Sequence, residues 1–64
     1  MRLLRTYIFK LHTLKGTVDR RPVLCGSNAD ALTKAQQWLD DHPDVDVIEV
    51  LCGGEDLFQV GRPA

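Results

Sequence analysis

Apolar residues recur at helical spacing in the middle of the chain, between residues 27 and 43. At about 100° per residue, their side chains fall within one arc of about 120°, and the polar side chains lie outside it. Ser27, followed three residues later by Asp30, is typical of a helix N-cap, and Pro43 cannot continue a helix. The pattern predicts one amphipathic helix whose buried stripe consists of Ala31, Leu32, Ala35, Trp38 and Leu39.

Aromatic and β-branched residues with a period of two flank this helix on both sides, which favours strands. The predicted strands are residues 6–14, 17–25, 45–52 and 56–60. Pro22 marks the second strand as an edge strand, because proline donates no ladder hydrogen bond. Gly53 and Gly54 suit a tight hairpin turn with positive φ. We expect residues 61–64 to form a frayed tail.

A competing interpretation exists for the N-terminus, because six apolar residues there also lie at helical spacing with basic residues between them. They are Leu3, Leu4, Tyr7, Ile8, Leu11 and Leu14. A basic amphipathic helix of this kind binds anionic membranes or serves in targeting. The strand is favoured, because Phe9 would fall on the polar side of such a helix and because residues 17–25 need a hairpin partner.

The predicted fold class is α+β: a ββαββ two-layer sandwich with one helix on a four-stranded, mainly antiparallel sheet. We expect the strand order second, first, third, fourth, within a single domain of residues 1–64. The expected core consists of Tyr7, Phe9, Leu11, Val23, Cys25, Ala31, Leu32, Ala35, Trp38, Leu39, Ile48, Val50 and Leu57.

One helix covers only one side of such a sheet, so the alternate strand positions show what the other side presents. A regular two-residue hairpin at Gly53 and Gly54 places Leu57 beside Val50, and it places further apolar residues on the uncovered face. Soluble monomers rarely expose a contiguous apolar patch of this kind, although scattered apolar residues remain an alternative. We therefore expect an interface formed by Ile8, Leu24, Val47, Leu51, Phe58 and Val60.

Sixty-four residues make one small domain, which has limited stability without help. We expect self-association to supply the additional stability, because two cysteines without close spacing favour neither a disulfide framework nor a metal site. No apolar run approaches the roughly 20 residues of a membrane-spanning helix, and no signal-peptide pattern is present. We expect a soluble cytoplasmic protein with reduced thiols that acts as a homodimer or binds a partner protein.

Charge is distributed unevenly along the chain. Residues 1–21 carry six basic residues and one acid, whereas residues 22–64 carry two basic residues and eight acids. Two solvated faces that attract each other explain this pattern most simply. The alternative is a surface for nucleic acid or another anion, although no aromatic residues lie among the basic ones on an evidently exposed face. Its residues would be Arg2, Arg5, Lys10, Lys15, Arg20 and Arg21.

Candidate chemistry is weak throughout the chain. Cys25, Cys52, His12 and His42 are zinc-ligand types, but no two of them form a short local pair. Cys25 precedes the helix by two residues, which suits an activated thiol, yet a strand-end cysteine pointing into the core has the opposite environment. The acids between residues 40 and 46 are typical of an exposed helix end and loop. We expect no catalytic role, no metal site and no cofactor.

The stretch from Val23 to Ala31, followed by Trp38-Leu39-Asp40 and Val47-Ile48-Glu49-Val50-Leu51, resembles a group of short bacterial proteins of unknown function. These proteins have an aromatic-rich N-terminal hairpin, an alanine- and acid-rich helix, and a third strand closed by a glycine turn. Leu51 stands where they have tryptophan. The resemblance implies the hairpin-helix-hairpin layout and no activity.

Overall fold

The computed structural model describes residues 3–62, and in them it shows four strands and one helix. The strands form one sheet in the order β2-β1-β3-β4, with every neighbouring pair antiparallel. The predicted α+β class, the ββαββ layout and the strand order are therefore confirmed. The elements are β1 (Arg5–Thr13), β2 (Val18–Cys25), α1 (Asn28–Asp41), β3 (Val45–Cys52) and β4 (Glu55–Gly61).

Residues 5–13 form a strand, so the amphipathic-helix interpretation of the N-terminus is wrong. Tyr7, Phe9 and Leu11 alternate with more exposed neighbours and lie in the core. In a helix, Phe9 would leave this apolar face, whereas the pleat of a strand places all three side chains on one side. Hydrogen-bonded pairing with both β2 and β3 then places β1 in the interior of the sheet.

Both ends of α1 are capped as the sequence predicts. The Ser27 hydroxyl accepts a hydrogen bond of 3.1 Å from the backbone N–H of Asp30, and the Asp30 carboxylate accepts one of 2.9 Å from the N–H of Gly26. At the other end, His42 Nδ1 lies 3.0 Å from the carbonyl oxygen of Trp38, and the imidazole stacks on the indole. These contacts satisfy backbone groups that a helix terminus leaves unpaired.

A second cap reaches α1 from the far end of the chain. The Arg62 guanidinium donates to the carbonyl oxygens of Leu39 and His42, at the end of the helix, and to that of Val45 at the start of β3. A cation here also complements the negative end of the helix dipole. The expectation of a frayed tail is therefore wrong for Gly61, which ends β4, and for Arg62; residues 63–64 lie outside the described residues.

The core lies between α1 and one face of the sheet. Four of the predicted core residues are only partly buried or exposed: Val23 and Trp38 are partly buried, Leu32 is 40% exposed and Leu57 is 36% exposed. The sequence analysis also missed Val45 and Val60, which are buried. The buried residues are Tyr7, Phe9, Leu11, Cys25, Ala31, Ala35, Leu39, Val45, Ile48, Val50 and Val60, with Val23, Trp38, Cys52 and Phe58 packed against them.

A bulge in β4 explains the error at Leu57. Leu51 pairs with Asp56, but Val50 pairs with Phe58, so Leu57 is an extra residue without a partner on β3. An extra residue inverts the alternation beyond it, so the next residues face the side opposite to that of a regular ladder. Phe58 and Val60 accordingly face the helix, and their predicted place on the uncovered face is wrong.

Candidate functional site

The side of the sheet opposite α1 is covered by none of the described residues. We call it the outer face. Its members alternate along each strand with the residues that face the helix, and the pairing registers place them in rows across the sheet. They are Thr6, Ile8, Lys10 and His12 of β1, Val18, Arg20, Pro22 and Leu24 of β2, Val47, Glu49 and Leu51 of β3, and Asp56, Gln59 and Gly61 of β4.

The outer face is striped rather than uniformly apolar. One apolar row contains Pro22, Ile8 and Leu51, which are neighbours across β2, β1 and β3. The next row is polar, and a third row contains Val18, His12 and Val47. The polar row runs Arg20, Lys10, Glu49, Gln59 from β2 to β4. A partner surface would therefore meet one apolar row, a charged row, and a third row in which His12 separates Val18 from Val47.

Four of the predicted interface residues lie on this face. Leu24 is 56% exposed, and Ile8, Val47 and Leu51 are half-buried by their neighbours within the sheet. The sequence analysis missed Val18, which is 50% exposed, although the alternation of β2 could have shown that Val18 and Leu24 share a face. Whether these residues form an interface stays a prediction.

The charges on the outer face are incompletely neutralised. Glu49 Oε1 lies 2.6 Å from His12 Nε2, the distance of an ion pair when the imidazole is protonated. Lys10 and Arg20 lie directly opposite each other across β1 and β2, and neither side chain forms an ion pair or hydrogen bond with any residue between 3 and 62. Like charges in such a cross-strand pair repel each other.

The remaining basic residues do not gather into one surface. Arg21 lies on the helix side of β2, where its Nη2 atom is 2.9 Å from an Asp19 carboxylate oxygen. Arg5 shares the side of Tyr7 by alternation, and Lys15 lies in the β1–β2 turn. Arg2 lies outside the described residues. Of the predicted anion-binding set, the fold brings together Lys10 and Arg20.

A groove separates α1 from edge strand β2. Its wider part has a volume of about 320 Å³ and is lined by Val23, Lys34, Gln37, Trp38, Asp41 and His42. Trp38 Nε1 is buried there and has no hydrogen-bond acceptor among residues 3–62. Lys34 instead donates to the carbonyl oxygen of Leu24, and His42 contacts that of Trp38. The groove therefore holds no converging set of polar groups.

Cys25 and Cys52 are free thiols. They lie on β2 and β3, the two strands that flank β1. These strands are two interstrand spacings apart, about 9.6 Å, and a disulfide cannot span that distance. Burial raises the pKa of the Cys25 thiol, and Asp30 adds to this effect while Lys34 opposes it. A nucleophilic thiol needs the reverse change. The position of Cys25 before the helix therefore does not produce an activated thiol.

The acidic residues that follow the helix are exposed. Asp40, Asp41, Asp44 and Asp46 all point into solvent around the α1–β3 connection. Within residues 3–62, no three His, Cys, Asp or Glu side chains lie close enough together to hold a metal ion. None of the described helices is both long and apolar enough to cross a membrane.

Comparison with known proteins adds no assignment. The chain matches no known protein family, no curated protein and no solved structure.

Proposed function

We propose that this chain is a small protein-interaction module that acts through its outer face, by self-association or by binding a partner protein, and that it carries no catalytic centre. The observation that supports the proposal is the uncovered sheet face, which has one apolar row built on Ile8 and Leu51 and further apolar side chains at Val18, Leu24 and Val47. Small domains commonly gain stability by covering such a face with a second protein surface.

The outer face has the area that a small dimer needs. Four strands about 4.8 Å apart, each about 26 Å long, present roughly 500 Å² on one side. Two such faces together reach about 1,000 Å², at the lower end of specific interfaces. We accordingly propose a reversible homodimer. A cytoplasmic location is consistent with two cysteines that remain free thiols.

The alternative of a nucleic-acid or anion-binding surface has less support. Among the described residues, its only adjacent pair on one face is Lys10 and Arg20, and Glu49 lies beside Lys10. A carboxylate next to the pair weakens the attraction for a polyanion. The resemblance to short bacterial proteins with the same layout favours neither function, since it implies no activity.

The test is the molecular mass in solution. Sedimentation velocity of the unmodified chain should show a dimer at concentrations of about 100 μM, which suits the micromolar affinity of a small interface. Leu51→Lys should yield a monomer, because it places a charge within the apolar row. Leu32→Lys, on the exposed side of α1, is the matched control and should leave the mass unchanged. A monomeric unmodified chain would contradict the self-association.

A further inference from the structure

The outer face carries opposite charges on its two halves. On the half of the outer face formed by β1 and β2 the charged residues are Lys10 and Arg20, and on the half formed by β3 and β4 they are Glu49 and Asp56. Because β1 and β3 are the two central strands, the boundary between the charges runs along the middle of the sheet. Lys10 and Glu49 face each other across that boundary.

We propose that the partner of this face is a second copy of the chain, packed face to face about a two-fold axis that runs along the strands between β1 and β3. The proposal rests on the proposed function and specifies its geometry. Rotation about such an axis exchanges the two halves of the sheet, so the basic half of one copy covers the acidic half of the other. Sheets packed in this aligned manner cross at about 30°, which a small tilt of the axis provides.

This rotation keeps each row of the outer face opposite the same row of the other copy. Lys10 then faces Glu49 of the second copy, and Arg20 faces Gln59. In the neighbouring apolar row, Ile8 faces Leu51 of the second copy. Each contact occurs twice, as a two-fold axis requires. Lys10 and Arg20, which have no acidic partner within residues 3–62, each gain a polar partner.

The other face-to-face arrangement has its two-fold axis across the strands, and charge disfavours it. That rotation places each strand opposite itself, so the basic hairpin would cover the basic hairpin, and Lys10 would meet Lys10 if the axis crosses their row. Charges of one sign that are brought together at an interface are strongly unfavourable. The polarity of the sheet therefore selects the axis along the strands.

Charge reversal at the two central positions tests this geometry. Lys10→Glu alone places two acids opposite each other in the dimer, and Glu49→Lys alone places two lysines opposite each other. Each single variant should dissociate at least about tenfold more readily than the unmodified chain, because like charges meet twice. A mixture of the two variants should form a heterodimer, since every central contact is then again between an acid and a lysine.

Native mass spectrometry, with one variant isotope-labelled, measures the heterodimer directly. The controls reverse charges outside the outer face, with Lys15→Glu in the β1–β2 turn and Glu55→Lys at the start of β4. Each control variant should dimerise like the unmodified chain, and their mixture should show no preference for heterodimers. Formation of the Lys10→Glu and Glu49→Lys heterodimer also shows that both variants fold.

The outcomes separate the geometry from the proposed function. A dimer that Leu51→Lys disrupts, but whose charge variants give no preferred heterodimer, would overturn the two-fold register and leave the outer face as the interface. An unmodified chain that stays monomeric would overturn both. Single variants that dimerise normally would place Lys10 and Glu49 outside the interface and so reject the register.

Discussion

Arg62 connects the last strand to the end of the helix. Its guanidinium donates to three carbonyl oxygens, of Leu39, His42 and Val45, and so satisfies acceptors that the end of the helix and the turn after it leave unpaired. Because α1, the α1–β3 connection and β4 all meet at this one side chain, Arg62 stabilises the position of the helix on the sheet.

Arg62→Ala should lower the free energy of unfolding by about 2 kcal/mol, since hydrogen bonds to charged groups contribute more than neutral ones and three acceptors lose their donor. Urea denaturation of the variant and of the unmodified chain measures the difference. Lys15→Ala is the control, because its ammonium contacts none of the described residues, and it should change the stability by less than about 0.5 kcal/mol. An equal effect of the two substitutions would show that the cap is not energetically important.

Cys25 illustrates how burial reverses a role that sequence position suggests. Desolvation raises the pKa of its thiol above the ordinary value of 9.0, so the folded state retains the proton to a higher pH than the unfolded state does. The neutral thiol contributes its full stability below the unfolded pKa. As the pH rises from there to the folded pKa, the unfolded chain loses its proton first, and the free energy of unfolding falls.

The Cys25 contribution to the stability of the chain should therefore decrease as the pH rises through and above about 9, by at most about 1.4 kcal/mol per pH unit. Denaturation of the unmodified chain and of Cys25→Ala over this range isolates that contribution, because every other titrating group is shared. Identical slopes for Cys25→Ala and the unmodified chain would mean that the thiol titrates alike in both states.

At the scale of elements, the bulge in β4 decides which side chains reach the core. Residues 55 and 56 continue a regular hairpin from Gly53 and Gly54, both of which have positive φ. Leu57 is then added without a partner, so Phe58 and Val60 face α1. Without that one residue of offset, a regular ladder would send both side chains to the outer face and leave the helix side of β4 without them.

Deletion of Leu57 should be tolerated. Asp56 would then be followed directly by Phe58 in a regular ladder, with Phe58 and Val60 still facing the helix, and the unfolding free energy should change by less than about 1 kcal/mol. Deletion of Gln59 is the matched control. It turns Val60 outward and displaces Arg62, so it should cost about 3 kcal/mol or more. Thermal denaturation compares the two deletion variants. An equal loss of unfolding free energy in both would contradict the role of the bulge.

At the scale of the molecule, the helix and the charges divide the sheet in different directions. The helix covers one face and leaves the other open, whereas charge separates the β1–β2 hairpin from the β3–β4 hairpin. The proposed dimer uses both divisions, because apolar rows supply contact area and the opposite charges set the orientation. Its affinity should thus depend mostly on apolar burial.

Salt should consequently weaken the homodimer only slightly. Two partly exposed charge pairs contribute roughly 1 kcal/mol together, so raising the NaCl concentration to about 0.5 M should increase the dissociation constant less than about tenfold. Sedimentation equilibrium over a salt series measures this change. A steep loss of affinity would instead indicate mainly ionic contacts, and steep, salt-sensitive binding of an oligonucleotide would favour the anion-binding alternative.

The sequence by itself determined the features that depend on nearby residues. Ser27 and Asp30 mark the start of the helix, alternation in residues 5–13 marks a strand, and Gly53-Gly54 marks the hairpin turn. Capping, alternation and backbone freedom act within a few residues, so they can be seen in the chain alone. The strand order agrees with the expected one, but the pairing of β1 with β3 fixes it, and that pairing joins residues far apart in the chain.

Only the tertiary structure decided which side chains share a surface. The bulge at Leu57 moved Phe58 and Val60 from the expected interface into the core, Arg62 became a cap for a helix that ends about twenty residues earlier, and Lys10 came beside Glu49. Each of these depends on a contact between residues far apart in the chain. A single unpaired residue or one side-chain contact can change which side chains share a surface without changing any local pattern in the sequence.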